Sequence, residues 1–380
     1  LLGLGIGFGV LAKGPAILVH VLPAVLLAPA WGPRLVGAPA PATGRGRWYL
    51  GVLGGVVMGA AIGLAWAVPA GMAGGDAYRD AIFWGQSAGR MVGSFAHGQP
   101  WWWYGAALPV LLVPWIAWPP AWRAAGRARG AWADGGVRFA AAWAVPALVI
   151  FSAISGKQFH YLLPELPAVA LVLARLLTAA PEGDDARAPD QLVPGLLAVL
   201  AGAAVIALPL LQVQGPASAS LAFLDEGWGL LLAAAGVGVA VSGGFGLAGR
   251  LGVLAALAAV FVVVAHLVLR PVVAAAYDLR PLALRLGQWE RQGTALANFG
   301  KYHGQYHFLG RLTKPIAVIG LKSGDRKAFL DAHPDGLIVA YHETVPTAAE
   351  PLFTQPFRTR RTIAVWEARA LIRHPGIAEQ

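Results

Sequence analysis

Between Gly71 and Tyr104 the chain reads GMAGGDAYRDAIFWGQSAGRMVGSFAHGQPWWWY, and most of its membrane-flanking chemistry gathers there. Arg79 and Arg90 supply cations, Gln99 an amide, and His97 a ring of the type that ligates metals or donates to phosphate. Asp76 and Asp80 stand four apart, on one face if the segment is helical. Phe83, Trp84, Phe95 and Trp101 to Trp103 are mixed in, and such side chains must lie against something apolar. Cations and aromatic rings together at a membrane face suit a ligand that is part lipid and part anion. A second polar stretch, SGKQFHY, adds Lys157, His160 and Tyr161 between two apolar runs. Each has a plainer reading beside it. Lysine and arginine snorkel to lipid headgroups, Tyr161 opens an apolar run as belt residues do, and His97 would serve equally as a helix cap. His303 and His307, four apart, fit either a metal pair or a solvated helix face. His20 and His266 lie inside apolar runs, where an ionisable group usually faces the interior of a helix bundle.

The elements that must position these residues are membrane helices. With 57% hydrophobic and 13% charged residues, the 380-residue chain is too apolar for a soluble protein and reads as polytopic. A net charge of +10 would suggest nucleic acid in a soluble chain, but here the basic residues fall largely in short gaps between apolar runs and in the C-terminal part, which is a topology signal. No cysteine is present, so disulfides, thiol catalysis and cysteine metal sites are excluded. The chain begins at Leu1 inside an apolar run, and the expectation is that helices and a first outward loop precede it.

The apolar runs predict a helix over 1–12, then spans over 15–31, 48–70, 101–122, 139–155, 162–177, 193–211, 228–247 and 251–269. Loops holding Arg34, Arg45 and Arg47, then Arg123, Arg127, Arg129 and Arg138, then Arg187, then Arg250, fall on alternate turns and so on one side. The positive-inside rule makes that side the cytoplasm. Lys13, the 71–104 stretch, Lys157 and everything after Arg270 then face outward.

From about residue 271 to residue 380 the composition becomes that of a small α/β domain. An amphipathic helix is predicted over 279–292, strands at ALANFG, PIAVIG, LIVAYH and TIAVWEA, and a helix at SGDRKAFLDAH. It carries no dinucleotide fingerprint and no P-loop, so no nucleotide cofactor is expected.

Three segments taken together, LGIGFGVLAKGPAIL, DAIFWGQSAGRMVGSFAHGQPWWWY and FSAISGKQFHYLLPELPAVALVLAR, resemble the bacterial aminoarabinose transferase and protein O-mannosyltransferase group of membrane glycosyltransferases. KYHGQYHFLGRL is similar to a motif in the outward domain of many members. The resemblance covers residues 1 to about 178 in order. It implies a GT-C fold in the inner (plasma) membrane and a polyprenyl-phosphate-linked sugar as donor. The sugar would pass to a lipid A-like, other lipid or protein acceptor, with inversion at the anomeric carbon. Members carry their essential acid in a first outward loop outside this sequence, so the resemblance names no catalytic base here. Because the leaving group is already a phosphate, the protein must stabilise developing negative charge and position the acceptor. Lys157 is the first choice for the donor phosphate, with Arg79 and Arg90 next; His160, Tyr161 and Gln99 are candidates for sugar or phosphate contacts, and His97 for a divalent metal. A lipid-sugar transporter and a non-catalytic scaffold are the other readings, although no intramembrane acid chain or repeated halves support the transporter.

Overall fold

In the computed structural model, residues 1–34, 44–80, 82–83, 98–179, 187–211, 225–320, 323–358 and 361–379 are described. Among them, seven helical stretches are long and apolar enough to cross a bilayer: Leu2–Trp31, Arg45–Asp76, Gly135–Ala153, Phe159–Thr178, Ala188–Leu210, Glu226–Gly244 and Leu247–Pro271. The chain divides into two compact units. Leu1–Val199 with Ala234–Ala259 form one, and Leu200–Ala233 with Val260–Gln380 the other.

Within the first unit, helices α1 (Leu2–Lys13) and α2 (Ile17–Leu26) are two limbs of a hairpin rather than one rod. Gly14, at φ +70, makes the bend with Pro15 behind it, a backbone angle that side chains with a Cβ rarely adopt. Helix α3 (Arg45–Asp80), which kinks at Gly75, shows which way the limbs run. Leu2 lies against Gly55, Ile6 against Gly59 and Val10 against Gly63, so α1 and α3 are parallel and packed through small residues. The Trp48 indole and the Tyr49 hydroxyl donate to the carbonyls of Val25 and Leu26, so the far end of α2 returns to the start of α3. Helix α4 (Gly135–Ala153) runs against α2, with Trp31 on Phe139 (4.9 Å between ring centres) and His20 on Phe151 (5.3 Å). The Lys13–Pro15 bend and the end of α4 thus share one end of the unit.

The span expected over 101–122 is corrected. Helix Trp103–Leu111, a short 3-10 turn at Trp115–Ala117 and helix Pro119–Gly126 replace it. Pro109, Pro114, Pro119 and Pro120 remove amide donors and crowd the preceding turn, which breaks a continuous helix. The remaining helices are α5 (Leu166–Thr178), entered through a 3-10 stretch at Phe159–Glu165, α6 (Leu192–Ala207), α7 (Glu226–Val241) and α8 (Leu247–Tyr277).

In the second unit, α8 leads into a five-stranded sheet. Its strands are β1 (Leu296–Phe299), β2 (Ala317–Ile319), β3 (Leu337–His342), β4 (Phe353–Phe357) and β5 (Arg361–Glu367), in the order β2-β1-β3-β5-β4. β1 is parallel to both β2 and β3; β5 is antiparallel to β3 and to β4. Alternation divides the side chains between two cores. Leu296, Leu337, Val339, Ile363 and Val365 pack with Leu282 and Leu286 of helix α9 (Arg280–Arg291). Ala297, Ile338, Ala340, Ala364 and Trp366 pack on the other face with Phe329 of α10 (Ser323–Ala332) and Leu371 of α11 (Ala368–Arg373).

Candidate functional site

Three chain segments converge at the Lys13 end of the first unit. The end of the polar loop is stitched to the end of α4 by an antiparallel bridge between Gly98 and Gly156 and by the Gln99 amide donating to the Ser155 carbonyl at 3.0 Å. Lys157 closes this joint. Its side chain is only 4% exposed, and its ammonium donates to the carbonyls of Gln99 (3.0 Å) and Ile154 (2.5 Å). An ammonium has three donors, so the two carbonyls leave one. Burial pulls the Lys157 pKa below its ordinary lysine value, because the charged form loses hydration.

Aromatic rings continue the joint. The Tyr104 hydroxyl donates to the Gln158 carbonyl at 3.1 Å, and Trp103 stands 4.8 Å from Phe159 between ring centres. Tyr161 lies against Phe151 (5.5 Å) and His160 (4.8 Å), and the Lys13 ammonium sits 5.4 Å from the centre of its ring. That last contact brings the bend of the α1–α2 hairpin onto the Lys157 segment by a cation–π attraction. One turn deeper, His20 Nδ1 is 2.5 Å from Glu165 Oε1, with both groups largely buried.

The structure therefore gathers Lys157, His160, Tyr161 and the backbone of Gln99, whose side chain is exposed. Arg79 is engaged elsewhere: it pairs with Asp76 (3.0 Å) and Asp80 (3.8 Å) of its own helix and is half-exposed. Arg90 and His97 lie outside the described residues. His303 and His307 do not share a helix face, since the short helix begins only at His307, whose Nδ1 meets the Tyr302 hydroxyl at 2.6 Å. Sequence reasoning missed Lys13, read there as punctuation between two runs, and Glu165, an acid within an apolar stretch. An ionisable group inside an apolar run was the available signal for Glu165. Among the described residues no three His, Asp or Glu side chains cluster as a metal would require.

The class these features define is a multi-pass helical membrane protein with a small C-terminal sheet domain. No family model matches the chain. It is 32% identical over 221 residues to undecaprenyl phosphate-alpha-4-amino-4-deoxy-L-arabinose arabinosyl transferase 2 of Pseudomonas fluorescens (strain Pf0-1). That match covers 57% of this chain and 37% of the relative. The corresponding transferase of Pseudomonas paraeruginosa is 31% identical over 226 residues, again 57% of this chain and 37% of the relative. Matched segments thus span little more than a third of these relatives' own length. A crystal structure of ArnT from Cupriavidus metallidurans, bound to undecaprenyl phosphate, superposes with a TM-score of 0.55 at 17% identity, over 96% of this chain and 68% of that one. The chain is thus similar to aminoarabinose transferases over 57% of its length and has the fold of the solved ArnT, as the motifs in its first half imply.

Proposed function

We propose that the protein is a membrane glycosyltransferase that takes a sugar from a polyprenyl-phosphate donor and passes it to a lipid A-like or other cell-envelope acceptor. The reading places it in the inner membrane with the Lys157 end and the C-terminal domain outside, as the arginine distribution favours. The observation that carries it is the junction of Lys157, Lys13 and Tyr161, in a chain related to transferases named for an undecaprenyl phosphate sugar. Neither lysine has a carboxylate partner among the described residues: Lys157 rests on carbonyl oxygens, and Lys13 on a ring face.

In transfer, the bond from the anomeric carbon to the donor phosphate oxygen breaks and one to the acceptor oxygen forms, while charge grows on the departing phosphate. The remaining Lys157 donor and the exposed Lys13 ammonium stabilise that charge. Tyr161 and His160 line the sugar side. Inversion is the expected outcome of one in-line displacement. The divalent metal considered for His97 enters no step, because that residue lies outside the described part.

The protein, expressed from its full reading frame and reconstituted in proteoliposomes, should transfer labelled aminoarabinose from its undecaprenyl-phosphate conjugate to a lipid A-type acceptor, with product of inverted anomeric configuration by NMR. Binding of the donor without transfer to lipid, other envelope or protein acceptors would sink the enzymatic reading, and retained configuration would sink the displacement.

A further inference from the structure

The C-terminal sheet carries a second polar site that the transfer chemistry does not use. In its parallel part the chain runs from β1 to β2 on one side and from β2 to β3 on the other, so the strand order reverses at β1. Ligands of open α/β sheets bind outside the carboxyl ends of the strands at such a switch point. Here those ends hold a hydrogen-bonded set. The buried Tyr306 hydroxyl meets the Tyr341 hydroxyl at 2.5 Å and donates to Asn298 Oδ1 at 3.4 Å, and Gln305 donates to Tyr341 at 3.4 Å. Burial pushes the Tyr306 phenol far above its ordinary pKa, so it stays protonated as a fixed donor. Tyr341 is held in place by this set and forms one wall of a cleft of about 350 Å³, whose other walls are Glu343, Thr344 and Arg361.

The charges in that cleft are unusual. Glu343 directly follows His342, and Arg361 directly precedes the residue paired with it, Thr362, yet no ion pair joins them among the described residues, and both are exposed. A guanidinium flanked by a carboxylate is a poor site for a bare anion, because the carboxylate repels it. It suits a ligand with a phosphate for Arg361, an amine for Glu343 and hydroxyls for Tyr341 and Thr344. The cleft also sits where α8 ends. Phe357 packs on Tyr341 (5.4 Å) and Tyr277 (5.9 Å), the Arg358 amide donates to the Ala276 carbonyl at 2.7 Å, and the Arg358 guanidinium covers Tyr277 at 5.4 Å. These contacts fix the carboxyl edge of the sheet to the end of an apolar helix.

We propose that this edge is a second binding site, taking the phosphorylated, amine-bearing sugar headgroup of a lipid. The proposal rests on the reading that the protein handles lipid-linked sugars, and its test does not depend on turnover. Glucosamine 1-phosphate, titrated into the detergent-solubilised protein and followed by calorimetry, should bind saturably. Arg361→Ala and Glu343→Gln should each weaken it about tenfold, a loss of about 1.4 kcal/mol, and Arg175→Ala should leave it unchanged. N-acetylglucosamine 1-phosphate, its amine blocked, should bind the unaltered protein as weakly as glucosamine 1-phosphate binds Glu343→Gln. Competition by an amino-sugar polyprenyl phosphate would assign the cleft to the donor lipid, and competition by a phosphorylated glucosamine lipid to the acceptor. Equal binding of inorganic phosphate, unchanged affinity in both cleft variants, or loss in Arg175→Ala alone would overturn the proposal. A failed transfer assay with these titrations intact would overturn only the enzymatic reading.

Discussion

Two pairs of cations in the first unit, Arg123 with Arg175 and Lys157 with Lys13, are satisfied in opposite ways. Arg123 grips Asp190 through two bonds of 3.1 and 2.6 Å, and Arg175 meets Asp134 at 2.8 Å. The Arg175 hydrogen bond comes first among the effects that hold the Asp134 carboxyl below its ordinary value, so these two arginines are neutralised internally. Lys157 instead lies on backbone carbonyls and Lys13 on a ring, while the carboxylate buried nearby, Glu165, is taken by His20. Cations satisfied by dipoles and quadrupoles keep their full charge for a ligand; cations satisfied by carboxylates do not. The two arginines thus serve architecture, while the two lysines are available for chemistry.

The sharpest way to break this contrast is at the neutralised arginines. Arg123→Ala leaves Asp190 buried without its partner, and a stability loss of about 3–5 kcal/mol is expected, with the affinity of the surviving folded protein for undecaprenyl phosphate unchanged. Denaturant unfolding and lipid binding on the same preparation check it, and a selective loss of binding would erase the distinction. Next in size, Lys157→Ala removes a charge-assisted bond worth about 1.5–3 kcal/mol, so turnover should fall roughly tenfold to more than a hundredfold, against little change for Arg175→Ala. Because burial lowers the Lys157 pKa, donor affinity should weaken as pH rises through a value below the ordinary lysine range, and Lys157→Arg should move that limit upward.

Glu290 offers the mirror image of Lys157, an anion held by backbone amides. It is buried and accepts from the amides of Thr313 (3.0 Å) and Lys314 (2.8 Å). Burial pushes its pKa up, but the amide bonds outweigh that and the net shift is downward. Its stabilisation is therefore present above the ordinary carboxylate pKa and is lost as pH falls through the depressed value. Glu290→Gln should cost about 1–3 kcal/mol at neutral pH, and the gap from the unaltered protein should close in acid, as thermal unfolding across a pH series would show. The smallest effect belongs to Lys13: replacing it with methionine removes a partly solvated cation–π contact of about 0.5–1 kcal/mol and the charge itself. A donor KM raised several-fold with kcat little changed would place Lys13 in ground-state binding, whereas a loss confined to kcat would place it at the transition state.

Much of this is legible in the sequence for a simple reason: alternation and apolar run length act over neighbouring residues. LANF, AVI, LIVAYH and RTIAVWE each declare a strand, and the hairpin bend is written in Lys13, Gly14 and Pro15. What escapes depends on distance. β4 is hidden because Pro356 argues against a strand, yet β4 is an edge strand, where a missing donor costs no ladder bond. The run over 101–122 reads as one span because its hydropathy outweighs its four prolines. Residue type alone points to Lys157, but that its charge rests on the carbonyl of Gln99, 58 positions away, is a tertiary fact. Glu165 pairs with His20 across 145 positions, which no local pattern reveals.

The clamp at the end of α8 has a mechanical meaning. Arg358, at a left-handed φ of 57, hooks back to Ala276, and Gln355 bonds the carbonyl of Asp278 and the amide of Leu282, so helix and sheet meet without a slack tether. The helix acts as a shaft with the domain keyed to it. Torque or tilt at the last turns of the shaft, beyond Pro271, is delivered to the carboxyl edge of the sheet, and spin labels at Val273 and Thr354 should show a single narrow distance distribution.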